Sequence, residues 1–197
     1  MMKLFILIFA GAYALASINF SILLFKILGK NDPRQEFSGN PGAFNVYRIL
    51  GFFWALVVLA LDVGRAMGVA LISISLLEVQ WVPWVGFGLL LGNRFPCFHG
   101  FQGGKGVATY LGFSMVLVPP FAAASIPAWA ITYMIFRIAF VGSFVMVFIL
   151  GTGTSLFYDF HPLAGTAVIA SVALIYYSHK SNIKNLLQKR KKDVEKQ

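Results

Sequence analysis

Charge and cysteine are both scarce in this 197-residue chain, of which charged residues make up 12% and Asp and Glu together number seven. The single cysteine, Cys97, excludes an internal disulfide and leaves the redox compartment undecided; it is expected to pack rather than react. The three histidines, His99, His161 and His179, are scattered along the chain, and with one thiol they do not form a zinc-site pattern. No metal and no cofactor is therefore expected. Alternating segments of about ten residues are absent, which excludes a membrane β-barrel. No G-x-S-x-G elbow is present. A nucleotide P-loop fails twice, because His99 stands where its first glycine belongs and Lys105 is followed by Gly106 rather than Ser or Thr. There is no internal repeat.

What the chain has in abundance is apolar surface: 58% hydrophobic residues and a mean hydropathy of +0.77. Those values lie far outside the soluble range and describe an all-α, polytopic membrane protein. Residues 1–197 read as one domain with a short basic tail from about 178. The first apolar run covers 4–28. A signal peptide competes there, since Ala14-Leu15-Ala16 resembles a cleavage site, but the pattern continues through Phe25 and favours a retained helix. Further runs fall at about 51–76, 79–91, 107–118, up to 136 after Pro119-Pro120, 139–153 and 163–177, about seven transmembrane helices in all. Several are short for a hydrocarbon layer about 30 Å thick.

The cations set the orientation. Alternating seven spans puts Lys26, Lys30, Arg34, Arg48, Arg94, Lys105, Arg137 and the basic tail on one face, against Lys3 with Glu78 and Asp159 on the other. The positive-inside rule then places the N-terminus outside and the C-terminus in the cytoplasm. The basic residues line no soluble face, so nucleic acid is excluded as a partner, whereas Lys189 to Lys192 suit anionic lipid headgroups.

Two polar stretches interrupt the apolar pattern. Residues 92–109 read G-N-R-F-P-C-F-H-G-F-Q-G-G-K-G-V-A-T, with Lys105 among Gly103, Gly104 and Gly106. Backbone N–H groups, a lysine and the start of a helix in one turn make an anion site; a glycine-rich helix contact with a snorkelling lysine accounts for the same residues. Residues 38–48 read S-G-N-P-G-A-F-N-V-Y-R. Ser38, Asn40 and Asn45 offer neutral hydrogen bonds, Gly39 and Gly42 backbone access, and Arg48 a fixed fork of donors; turn formation alone is the competing account. The two stretches fall on the same membrane face, which favours the anion site. Asp62 and Arg65, three apart in mid-span, share a helix face and are expected to pair, either structurally or for catalysis. His179 and Asn182 share a face just past the last span, as anchors or as ligands.

Taken together, these blocks resemble the bacterial acyl-phosphate:glycerol-3-phosphate acyltransferase family (PlsY). The resemblance rests on 38–48, on L-D-V-G-R at 61–65, on 95–109, on Ser143 after Arg137 and on H-K-S-N-I at 179–183. It implies seven spans with an external N-terminus in a bacterial inner membrane, and a cytoplasmic active site. The implied reaction moves a fatty acyl group from acyl phosphate to glycerol 3-phosphate, giving lysophosphatidic acid and phosphate. It further implies that Ser38, Gly39, Asn40 and Asn45 hold the acyl phosphate, while Arg48, Lys105, Ser143, His179 and Asn182 hold glycerol 3-phosphate. The enzyme that makes acyl phosphate is an implied partner. The H-x4-D arrangement of CoA-dependent glycerolipid acyltransferases is missing.

Some positions depart from the family pattern. Arg65 stands for the usual lysine, Ala66 for glycine, Asn93 for histidine and Gln102 for a frequent lysine, while Phe44 and Phe140 replace small hydroxyl residues. An acyl phosphate is already activated, so neutralising two phosphates and aligning the hydroxyl are the main tasks, suited to Arg48 and Lys105. The proton acceptor is either His179 or a substrate phosphate oxygen. A small organic-anion transporter and an inactive lipid-binding paralogue are the alternative functions.

Overall fold

The computed structural model describes residues 1–194. Of the basic tail cluster, the side chains of Lys189, Arg190 and Lys192, and all of Lys196, lie outside what is described. Ten α-helices and three single 3-10 turns make up the described residues, with no strand among them. The helices are α1 (Met2–Ala16), α2 (Phe20–Ile27), α3 (Ala43–Leu50), α4 (Phe52–Leu76), α5 (Val82–Arg94), α6 (Val107–Leu117), α7 (Pro119–Phe136), α8 (Ala139–Phe157), α9 (Pro162–Ser178) and α10 (Lys180–Val194).

The breaks follow the sequence punctuation. Pro119 occupies the first turn of α7, where its missing N–H costs nothing, and Pro162 does the same for α9. The first apolar run is not one straight helix: α1 ends at Ala16, and Asn19 caps α2 by accepting from Ile22 N–H at 3.0 Å. The stretch 29–48, read as a polar loop, ends in the α3 helix. Among the described residues three segments, Met2–Ile27, Phe52–Leu76 and Ala139–Phe157, are long and apolar enough to cross a membrane; α9 with the start of α10 makes a fourth if that pair, bent by 41°, is one broken span. At about 1.5 Å of rise per residue, α5 and α6 are too short to cross alone.

Small residues let the helices approach closely, as association in lipid requires. A Cβ at Gly92 of α5 would strike the Tyr13 carbonyl of α1, and one at Gly112 of α6 would strike the Val63 backbone of α4. Ala12 and Ala16 complete the first seam, both buried. Arg65 of α4 pairs with Asp62 at 2.8 Å and donates to the Leu15 and Ile18 carbonyls at 3.2 and 2.5 Å. Among the described residues the Ile18 carbonyl has no backbone donor, and the Leu15 carbonyl has only the Ile18 N–H at 3.2 Å, so Arg65 bridges the break between α1 and α2. The Asp62–Arg65 pair thus has a structural use at this break.

Candidate active site

Two loops meet over the ends of α5 and α9. Loop 28–42 leads into α3, and loop 95–106 leads into α6. Arg34 ties them together: its Nε and Nη2 donate to the Asp32 carboxylate (3.0 and 2.6 Å), while Nη1 donates to the His99 and Gln102 carbonyls of the other loop (2.9 and 3.0 Å). The Arg34 guanidinium holds the Asp32 carboxyl below the usual carboxylate range. A second tie runs from the Asn19 N–H to His99 Nε2 at 3.4 Å, so His99 packs at the helix break instead of facing the cleft.

Within loop 28–42, Asn45 is the staple. It is 1% exposed, and its amide donates to the Pro33 and Glu36 carbonyls at 2.9 and 3.2 Å. Its Oδ1 accepts from the Ser38 hydroxyl at 3.1 Å. All of its capacity is thus turned inward, leaving Ser38, Gly39 and Asn40 as the outward part of the turn. Gly39 sits at φ 65°, the left-handed region that a Cβ disfavours. Gly42 caps α3, and a Cβ there would stand 2.8 Å from the Asn40 amide nitrogen.

Loop 95–106 lies flat against the end of α5. Gly103 and Gly104 donate their N–H groups to the Arg94 and Asn93 carbonyls at 3.1 and 2.9 Å. Side chains at either position would collide with Asn93, so these glycines serve close approach, and their N–H groups cap α5. Cys97, expected to pack, is exposed, because its 3-10 turn directs the side chain outward. Gly106, at φ 83°, opens α6 without a side-chain cap, so the positive end of that helix lies next to Lys105.

Between the loops lies a cleft of about 290 Å³, lined by Arg34, Ser38, Gly39, Asn40, Arg94, Gln102, Gly103, Lys105, Ser178 and Ser181. Lys105 reaches across it, and its ammonium donates to Asn182 Oδ1 at the start of α10. Burial lowers the Lys105 pKa to about 8, helped by repulsion from Arg94 and Arg48. Arg48 ends α3 with its guanidinium 4.9 Å from the Phe44 ring centroid. His179, 3% exposed, sits at the α9–α10 bend, its ring 5.2 Å from that of Phe144 and 6.3 Å from that of Phe140. Its Nδ1 lies 2.9 Å from the Ile175 carbonyl; that contact needs a proton on Nδ1, leaving Nε2 to accept in the neutral ring.

The structure therefore gathers Ser38, Gly39, Asn40, Gly103 and Lys105 around one cleft, with Asn182 bonded to the lysine, whereas Arg48 and His179 are not among its lining residues. Gly42, Asn45 and Gly104 stand behind the loops. Ser143 does not line the cleft: it is buried on α8, donates to the Ala139 carbonyl at 3.2 Å and accepts from the Trp129 indole at 3.4 Å. Sequence reasoning missed Arg34 and Arg94 as members. Their signal was a cation in or next to each of the two loops, and Arg34 also follows Asp32-Pro33, which starts a tight turn.

The model of one protein family, glycerol-3-phosphate acyltransferase, matches residues 6–189. The chain belongs to the glycerol-3-phosphate acyltransferase family. It is 34% identical over 193 residues to the glycerol-3-phosphate acyltransferase of Pseudomonas syringae, covering 98% of this chain and 99% of that relative. To the enzyme of the same name from Hydrogenovibrio crunogenus it is 35% identical over 190 residues, covering 95% and 90%. Its fold is similar to crystal structures of PlsY, an integral membrane glycerol 3-phosphate acyltransferase. The glycerol 3-phosphate form matches with a TM-score of 0.86, 31% identity and coverage of 94% of this chain and 93% of that one. The lysophosphatidic acid form matches with a TM-score of 0.84. This chain is accordingly an all-helical membrane acyltransferase.

Proposed function

We propose that this chain transfers a fatty acyl group from acyl phosphate to the sn-1 hydroxyl of glycerol 3-phosphate, giving lysophosphatidic acid and phosphate. The observation that carries the reading is the shared cleft, where Ser38–Asn40 of one loop face Lys105 of the other, with Asn182 bonded to the lysine. A cleft of this volume takes phosphate head groups and leaves an acyl chain outside, against the lipid.

The carbonyl carbon of an acyl phosphate is already activated. The glycerol hydroxyl oxygen attacks it, the carbon–oxygen bond to phosphate breaks, and phosphate leaves with the electron pair. No protein nucleophile is needed, so the residues hold and neutralise. Ser38, Gly39 and Asn40 receive the donor's phosphate, with Asn45 shaping their turn. Arg48, Lys105 and Asn182 hold glycerol 3-phosphate, with His179 at its edge and Ser143 supporting the wall through Trp129. The hydroxyl proton passes to a phosphate oxygen, whose basicity rises as its bond to carbon breaks; His179 orients the acceptor. Phospholipid synthesis is the setting, and an enzyme that makes acyl phosphate supplies the donor.

In this reading residues 1–197 form one domain with seven crossings, α1 and α2 counting as one and the short α5 and α6 crossing where the layer thins around the bundle. The N-terminus lies outside, and the cleft faces the cytoplasm of a bacterial inner membrane. The distribution of cations supports this orientation. The test is to give purified protein palmitoyl phosphate and labelled glycerol 3-phosphate in detergent. Labelled lysophosphatidic acid with an equal release of phosphate is the expected result. Labelled lipid from an acyl thioester alone would overturn the donor, and uptake into liposomes without product would point to transport.

A further inference from the structure

We infer that Arg94 is a phosphoryl-binding residue of this cleft, a cation acting alongside Lys105. The inference deepens the proposed acyl transfer and rests on it.

Arg34 and Arg94 both line the cleft, but they are engaged differently. The Arg34 guanidinium is consumed by the Asp32 carboxylate and by two carbonyls of the opposite loop. Arg94 has no carboxylate and no hydrogen-bond acceptor among the described residues; its guanidinium carbon lies 5.2 Å from the Phe95 ring centroid. Its Nε is buried without a partner. A buried guanidinium N–H left unsatisfied is costly, and such a cost is tolerated where a ligand supplies the acceptor.

The position is held firmly. Arg94 is the last residue of α5, and its own carbonyl accepts the Gly103 N–H at 3.1 Å, fixing it beside the loop that carries Lys105. Its charge is felt at Lys105, whose ammonium it disfavours. Two cations that line one cleft with no carboxylate among its lining residues repel, and a dianionic phosphoryl group between them removes that repulsion. The planar fork of arginine suits two phosphoryl oxygens at once, which lysine at the same place does not match. Gln102, neutral, lines the same wall, so Arg94 supplies charge there.

Both substrates carry a phosphoryl group, and the kinetic constants tell the two apart. The experiment compares the full-length protein with Arg94→Gln and Arg94→Lys, and with Arg137→Gln as an exposed cation outside the cleft. KM is measured for palmitoyl phosphate and for glycerol 3-phosphate, with the inhibition constant of inorganic phosphate. Loss of one charge-assisted contact predicts a rise of about tenfold or more in the KM of one substrate and in the phosphate inhibition constant for Arg94→Gln. Arg94→Lys recovers part of the loss, and Arg137→Gln changes nothing. A higher KM for the acyl donor assigns Arg94 to its phosphate, and a higher KM for glycerol 3-phosphate to that one.

If Arg94 acted only by repelling Lys105, the glutamine variant would bind phosphate more tightly near pH 8, the opposite sign. That result, or constants within twofold of the parent, would overturn the inference. Equilibrium binding of inorganic phosphate to the detergent-solubilised chain keeps the test separate from turnover. If the parent protein binds phosphate but makes no lysophosphatidic acid, the proposed reaction fails while the comparison at Arg94 still decides.

Discussion

Replacing Asn45 with alanine should loosen one loop and leave the helix bundle standing. Asn45 is almost fully buried and makes three good side-chain bonds, to the Pro33 carbonyl, the Glu36 carbonyl and the Ser38 hydroxyl. Each contributes about 1 kcal/mol net, so their loss costs about 3 kcal/mol. The cost falls on the turn itself, because all three partners lie between 33 and 38. A tenfold change in an equilibrium is about 1.4 kcal/mol, so the ordered turn loses on the order of a hundredfold in population. A turn that is ordered only when donor binds should raise the KM for acyl phosphate by about 10- to 100-fold, with a smaller change in kcat. The assay pairs steady-state kinetics with amide hydrogen exchange in detergent. Exchange should quicken across 33–42 and stay unchanged in α4 and α8. If the KM rose while exchange in that segment matched the parent, Asn45 would touch substrate directly, and its role as a staple would be refuted.

Lys105 holds a proton below pH about 8 and loses it above, so kcat/KM should fall as pH rises through about 8; Lys105→Arg should erase that limb, and Lys105→Ala should abolish transfer. His179→Ala should slow transfer without abolishing it, as measured by initial rates; complete loss equal to that of Lys105→Ala would make His179 the base. Phe44→Leu removes the ring beside Arg48, worth about 0.5–1 kcal/mol at an exposed site, and should raise the KM for glycerol 3-phosphate a few-fold, with Phe44→Tyr restoring it. Arg65→Leu leaves the Asp62 carboxylate buried without its partner, a loss of about 3–5 kcal/mol, and should lower the Tm in detergent. Adding Asp62→Asn to that variant should recover part of the Tm; no recovery would mean the pair is not what stabilises the α1–α2 break.

Apolar runs, prolines and cations made most helix positions legible, since each is a local signal: Pro119 and Pro162 begin helices, and Arg137, at φ 54°, closes α7. The break at 17–19 was not legible, because it depends on Arg65 arriving from α4 to satisfy the exposed carbonyls. The loop residues of the cleft could be named from composition, but not what each does. The N–H groups of Gly103 and Gly104 bond to carbonyls at the end of α5, and the Asn45 amide bonds within its own loop, neither of which the composition of those stretches specifies. Such roles turn on which atom faces which neighbour, and a residue's type leaves that open. Ser143 and Arg94 differ in the same respect. The serine's hydroxyl is already engaged, whereas the arginine's fork is not.

The most direct test of whether the two loops share one cleft on the cytoplasmic side uses the chain's single cysteine. In a Cys97→Ser background, cysteines placed at Asn40 and Gln102, one on each loop, are labelled with a membrane-impermeant thiol reagent in vesicles of defined orientation. The account predicts that both react from the cytoplasmic side, that added glycerol 3-phosphate with inorganic phosphate slows both, and that a short bifunctional reagent joins them in the double variant. Labelling of the two positions from opposite sides of the membrane would contradict it.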